Sequence, residues 1–281
     1  MTPYLIKYYY FCGMEPTAYN VTLVIGVMVN GFAGLLLLLQ SFFEGDHPSY
    51  RRALVYSAVV QWLFAAGFVL HVHFQWRYDQ PLLASALVLT YLHLGMAIFS
   101  WAYIGLVDPF YHTWKIYVRD LVIVACAVPC NWLTTTDMPT HYLGYVICGV
   151  HCCFLASTFY WKYYHMSEHL AEVSPDPDIR LRTRFIVNSV HFMNGFGLLA
   201  ILVSALWQDE KWPYTLLMVA SSVVFIYLAM MLLLYHDVVE KTGNAIDDVA
   251  ESQRNPGYAR FIHRVMGRKS DVNDVNQTSI T

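Results

Sequence analysis

Ionisable side chains deep in apolar sequence are candidates for function, because an unpaired charge in hydrocarbon is expensive. Here the deep ones are histidines: His93, His151 and His191 fall near the middle of long apolar stretches, and His71 and His73 sit toward the end of another. No Asp, Glu, Lys or Arg is expected at mid-depth. Without a mid-depth carboxylate, a proton pump or ion-coupled carrier lacks its usual working group. The last apolar stretch, Pro213 to Tyr235, contains no lysine, so a retinal Schiff base has no anchor.

Neutral imidazole is a common zinc or iron ligand, and His93 and His151, with Cys152 next to the latter, are the candidates. Against a metal site, no HxxxH or HxxHH spacing puts two ligands on one helix face, and His71 and His73 point to opposite sides of a helix. The expectation is that no metal and no cofactor is held. Histidines hydrogen-bonded between helices, each worth roughly 1 kcal/mol, explain the same residues without a ligand.

A ligand cavity is the other chemistry these residues permit. Tyr91, His93 and Trp101 share one apolar stretch, and Gln61 lies on the preceding one. Asn188, His191 and Asn194 or Gly195 recur at helical spacing and give another stretch a polar face. Convergent polar groups among aromatics are what a small-molecule site is built from. The expected ligand-binding set is Gln61, Tyr91, His93, Trp101, His151, Asn188, His191 and Asn194. The same pattern also fits plain contact between helices.

These residues need elements to hold them. Of 281 residues, 57% are apolar and only 13% charged, far below the quarter usual in soluble domains. A crossing takes roughly 20 apolar residues. Seven stretches qualify: Val21–Phe43, Ala53–Phe74, Pro81–Val107, Leu121–Thr135, Tyr142–Trp161, Phe185–Trp207 and Pro213–Tyr235. The fourth is short and carries Pro129 and Asn131, which predicts a kink. In the first, Gly26, Asn30 and Gly34 recur every fourth residue and allow close helix approach. The fold class is therefore all-α, a polytopic membrane protein, with an external segment over 1–20, a seven-helix domain over 21–235 and a tail over 236–281.

Lys and Arg set the orientation. Arg51, Arg52, Lys115, Arg119, Lys162, Arg180, Arg182 and Arg184 fall on one set of connections, whereas the other has only Lys7, Arg77 and Lys211. The positive-inside rule puts the N-terminus outside and the C-terminus inside. Trp76, Trp207 and Trp212 mark the outer boundary, and Trp161 and Tyr163 the inner one. Met1 to Asn20 lacks the features of a signal peptide, so the first span is expected to direct its own insertion. Asn20–Val21–Thr22 is a glycosylation triplet only in a eukaryotic secretory setting. A net charge of −3, with no dense basic block, argues against direct nucleic-acid binding. Five of six cysteines lie in apolar stretches, where they act as small apolar side chains.

The longest internal connection, Lys162 to Arg184, extends the fifth helix, breaks at Pro175 and Pro177, and restarts beyond Asp176 and Asp178. In the tail, Tyr258 to Lys269 has the composition of a short basic amphipathic helix, and Ser270 to Thr281 is polar enough to be disordered.

Two segments carry a family resemblance. GLVDPFYHTWKIYVRDLV supplies Asp108, Pro109, Phe110, Tyr111, Lys115 and Arg119; YWKYYHMSEHLAEVSPDPDIRLRTRFIV supplies Lys162, Tyr163, Asp176, Asp178, Arg180 and Arg184. Together they resemble the seven-span sensor region of Bacteroidetes membrane regulators, whose chains often continue into an AraC-type helix-turn-helix or a histidine-kinase output. The resemblance covers roughly residues 20 to 240. It implies a sensor, receptor-like, that binds an external or lipid-borne small ligand and signals to a cytoplasmic partner. The tail is too short for a two-motif DNA-binding domain, so transcriptional activity is not carried over. Membrane lipids are the surrounding partners, and the expected location is a membrane, the inner one if the chain is bacterial. The alternatives are an intramembrane metal- or haem-dependent enzyme using the histidines, and a membrane partner subunit.

Overall fold

A computed structural model describes residues 17–45, 47–133, 140–173, 183–207, 210–236, 238–239, 246 and 251, with side chains omitted at 140, 141 and 169–173. Among the described residues there is no strand. Seven long helices follow in order: α1 (Ala18–Phe43), α2 (Pro48–Phe74), α3 (Pro81–Val107), α4 (Trp114–Trp132), α5 (Thr140–Val173), α6 (Arg184–Leu206) and α7 (Lys211–Leu234). One turn of helix, Trp76–Asp79, joins α2 to α3, and a 3₁₀ turn, Pro109–Tyr111, joins α3 to α4.

Six of the seven, all but α4, are long and apolar enough to cross a membrane, which is compatible with an integral, multi-pass membrane protein. Helix α4 has 19 residues, roughly 28 Å at 1.5 Å per residue, close to a bilayer's hydrocarbon thickness. Lys115, Arg119 and Asp120 in its first two turns lower its hydropathy, yet Val118, Leu121 and Val122 are exposed on its outer side. The helix runs through Pro129 to Trp132.

Helix α3 is the axis. Within its apolar window 72% of residues are buried, against 33–56% for the other five spanning helices, and it touches α2, α4, α5 and α6. Around it, α1 packs on α2 and α7, α4 on α5, α5 on α6, and α6 on α7. A hydrogen bond from Tyr56 to Tyr117, 2.8 Å, links α2 to α4. The outer faces are apolar: on α1, Val21, Ile25, Met28, Phe32, Leu35 and Leu39 form one exposed helical stripe.

The small residues of α1 serve packing, as their spacing implies. A Cβ on Gly26 would lie 2.6 Å from the Phe68 ring, and one on Gly34 2.6 Å from Trp62 Nε1. Asn30 donates from its Nδ2 to the Gly26 carbonyl at 2.7 Å, a bond within its own helix. Asn20 is buried in the first turn of α1, which removes it as an accessible glycosylation site. Helix α5 continues to Val173, well past the apolar stretch ending at Trp161. The breaks expected at Pro175 and Pro177, the restart near Arg180 and Arg182, and the segment Tyr258 to Lys269 lie outside the described residues.

Candidate functional site

A buried carboxylate, not a histidine alone, organises the polar interior. Asp120 in α4 is fully buried and accepts three hydrogen bonds. Trp101 Nε1 of α3 donates to Oδ2 at 2.7 Å, Arg119 Nε donates to Oδ1 at 2.8 Å, and His151 Nε2 of α5 lies 3.3 Å from Oδ1. The chain continues from His151 Nδ1 to His93 Nε2 of α3, 2.8 Å away. Arg119 also donates to the Tyr111 hydroxyl at 3.2 Å and lies 4.8 Å over the Phe154 ring. The expectation that no carboxylate lies in the interior is thereby corrected. Apolarity alone starts the fourth stretch at Leu121, one residue too late, whereas the helix begins at Trp114. A signal was present: residues 120, 124, 127 and 131 form one helical stripe, and all four are buried.

Proton positions follow from the chemistry of the groups. A carboxylate only accepts, so His151 donates through Nε2. With both rings neutral, His151 Nδ1 must accept, and His93 donates through its own Nε2. His93 Nδ1 is then a bare acceptor, and it is buried with no hydrogen-bond partner. The result is a directional Asp120–His151–His93 relay. It begins about 9 Å along α4 and ends about 18 Å along α3, near the middle of the bundle.

Helix α4 is tied to its neighbours at its far end too. Trp132 Nε1 donates to Thr90 Oγ1 of α3 at 2.9 Å, and Asn131 lies directly against Gly144 of α5, where a Cβ would collide with it. On the other flank, Tyr117 bonds both Tyr56 and His112 Nδ1 at 2.8 Å, and its ring meets the Trp101 edge at 4.7 Å. His112, in the connection between α3 and α4, has a pKa lowered to about 4, first by burial and then by the Arg52 charge.

A second polar cluster sits at the opposite end of α3, on its other side. Arg77, from the turn before α3, donates to Ser85 Oγ at 3.2 Å, lies 3.4 Å over the Tyr214 ring of α7, and hydrogen-bonds Tyr19 of α1. Ser85 Oγ meets the Tyr214 hydroxyl at 2.8 Å. Tyr19 reaches His71 Nδ1 at 3.5 Å, and the His71 ring stands edge-on to Tyr91. The Tyr91 hydroxyl and His71 Nε2 are buried without partners.

The eight residues read from the sequence as a binding set are not brought to one pocket. His93, His151 and Trp101 meet around Asp120. Tyr91, two positions from His93, faces the other way, onto Phe64, Phe68 and Gly67 of α2. Gln61 donates to the Phe225 carbonyl of α7 at 3.1 Å. Asn188 and His191 are exposed, and His191 turns its Nδ1 to the Val187 carbonyl at 2.9 Å. Asn194 is half-buried beside Cys152 Sγ and lines a cavity of about 20 Å³ between α3, α5 and α6. That is room for one water, far short of the several hundred Å³ of a small-molecule site.

Nor does the histidine pair present itself as a metal site. Two nitrogens bound to one tetrahedral zinc stand roughly 3.3 Å apart with both lone pairs on the ion. Here they are 2.8 Å apart and share a proton. Among the described residues, no group of three His, Cys, Asp or Glu side chains is arranged to hold an ion. The described cysteines are all free; Cys148 and Cys152 are buried in packing, and Cys153 is exposed.

Comparison with protein-family models, with curated proteins and with solved structures gave no match.

Proposed function

We propose that this chain is a membrane sensor, receptor-like in build, crossing the bilayer seven times with its N-terminus outside and its C-terminus inside. A small ligand arriving from outside or from the lipid shifts the helices, and a cytoplasmic partner reads the shift. One observation carries this reading: the central helix α3 contributes to two separate buried polar networks on different sides. Ser85 belongs to the network near its start, and His93 and Trp101 to the one reaching its far half. A displacement of α3 that re-pairs one network must strain the other, because buried polar groups are costly to leave unmade. The long α5, which holds His151 and runs on to Val173, supplies a rigid output lever. The exposed apolar side of α4 and the Lys/Arg asymmetry support its counting as the seventh span.

The test is a thermal-stabilisation screen of extracellular metabolites and lipids on protein in nanodiscs. Hits are followed by spin-label distances between Lys115→Cys on α4 and Ser167→Cys on α5, in a background without other cysteines. A stabilising compound that changes this distance without being consumed supports a sensor. Stabilising compounds that leave the distance unchanged would sink the sensor reading.

The relay itself favours a second reading, proton transfer within the membrane. His93 Nδ1, a bare acceptor backed by His151 and Asp120, is built like a general base. Consumption of a hit compound, abolished by His93→Gln, would select this reading over the first.

A further inference from the structure

Where α1 hands over to α2, Gly45, Pro48, Arg51, Arg52, Val55 and Tyr56 line an open basin of about 410 Å³. Three carboxylates near this end of the bundle are already paired with other cations. Glu44 is taken by His236 at 2.8 Å, Asp108 by Lys162 at 2.8 Å, and Asp120 by Arg119 at 2.8 Å. Arg52 bonds only the Pro48 carbonyl and Ser49 Oγ, within its own first turn, and neither arginine has a carboxylate partner among the described residues. The basin also opens at the N-terminus of the 27-residue helix α2, whose dipole adds to the positive potential. Phe42 and Phe43, at the end of α1, are among the most exposed aromatics of the described residues and lie beside it in sequence, where acyl chains and headgroups meet.

We propose that this basin is a phosphate site that holds the headgroup of an anionic phospholipid. Guanidinium pairs match phosphate oxygens in bidentate geometry, and an open basin flanked by exposed aromatics suits a headgroup whose chains stay in the bilayer. Its wall residue Tyr56 bonds Tyr117, whose ring touches Trp101, the donor to Asp120. Headgroup occupancy is thereby mechanically connected to the buried relay. The proposal does not depend on the sensor reading, since lipid can bind a protein of any function.

The experiment is thermal unfolding of the full chain in an uncharged detergent. The probes are phosphatidylglycerol, phosphatidylcholine, or sodium phosphate, matched in phosphate concentration and ionic strength. Saturating phosphatidylglycerol raises the midpoint by about 5 °C, and phosphatidylcholine and inorganic phosphate do much less. Arg51→Gln with Arg52→Gln removes at least about half of that rise, raising salt weakens it, and Lys115→Gln, an exposed cation at the same end, preserves it. If the double variant is too unstable to read, Arg51→Gln alone, which breaks no hydrogen bond, carries the comparison. An equal rise with inorganic phosphate keeps the phosphate chemistry and overturns the lipid as its source. A rise that survives the double variant, or no rise with either probe, overturns the site.

Discussion

Replacing Asp120 tests whether the interior is organised as described, and the contacts set the size of the effect. Asp120 accepts from Trp101, His151 and Arg119. The Arg119 side chain is 35% exposed, so water can replace that bond and its loss costs little. The Trp101 and His151 donors are buried, and each left unmade costs about 1–3 kcal/mol. Asp120→Ala should therefore destabilise by about 3–5 kcal/mol, the range for breaking a buried charged network. Asp120→Asn keeps the volume but has one acceptor oxygen. If that oxygen faces Trp101, the amide N–H opposes Arg119 and His151, which both bond Oδ1; if it faces Arg119 and His151, the amide opposes the Trp101 N–H. Either way a donor is stranded, for about 1–3 kcal/mol. Trp101→Phe leaves the single oxygen free to face Arg119 and His151, so a double-mutant cycle of Asp120→Asn and Trp101→Phe should show coupling of about 1–3 kcal/mol. The assay is reversible denaturant unfolding in mixed micelles, followed by circular dichroism. Additivity to within about 0.5 kcal/mol would refute the Trp101–Asp120 bond, and a near-neutral Asp120→Ala would refute the buried carboxylate.

Other outcomes follow from single contacts. His151→Ala should cost about 2 kcal/mol and the exposed His191→Ala under about 0.5 kcal/mol by the same unfolding assay, and equal costs would contradict their placement. Gly67→Ala puts a Cβ 2.5 Å from Tyr91 Cδ1 and should cost about 1–3 kcal/mol, whereas Gly149→Ala meets nothing within 4 Å and should be neutral or stabilising by up to about 1 kcal/mol. His112, with its pKa lowered to about 4, stays neutral in the fold while the unfolded chain binds a proton below the ordinary histidine range near 6.5. Its contribution is thus present above that value, is lost as pH falls from about 6.5 toward 4, and should vanish from the pH–stability profile of His112→Gln. Topology is read by labelling single cysteines in a background without others: Asp79→Cys should react from outside and Lys115→Cys only after permeabilisation, and the reverse would overturn the orientation.

Hydropathy made the helices legible because a spanning segment must satisfy its backbone internally and face lipid with apolar side chains. The third stretch, Pro81–Val107, coincides with α3 to the residue, since proline and an aspartate step bound it. Helices whose ends leave the apolar zone were truncated: α4 by seven residues at its start and α5 by twelve at its end. Truncating α4 hid Asp120, because a run of apolar residues stops at a charge whether or not the helix does. The pairing of His93 with His151 was half-visible, as two imidazoles of matching depth. Helical facing decided the rest. Tyr91 and His93 are neighbours in sequence but serve α2 and α5 respectively, and His191 turns outward against Tyr160. Which side of a helix meets which neighbour depends on the order of the helices around α3, and one sequence does not carry that order.

Selective ¹⁵N-histidine NMR of the full chain in bilayers measures the relay directly. Asp120–His151–His93 predicts both rings as single neutral tautomers protonated at Nε2, with an internuclear contact between His93 Nε2 and His151 Nδ1. Asp120→Ala, which removes the acceptor of the His151 Nε2 proton, should release His151 from that tautomer and His93 with it. Two imidazoles that each sample both tautomers, lack that contact, and ignore Asp120→Ala would contradict the relay.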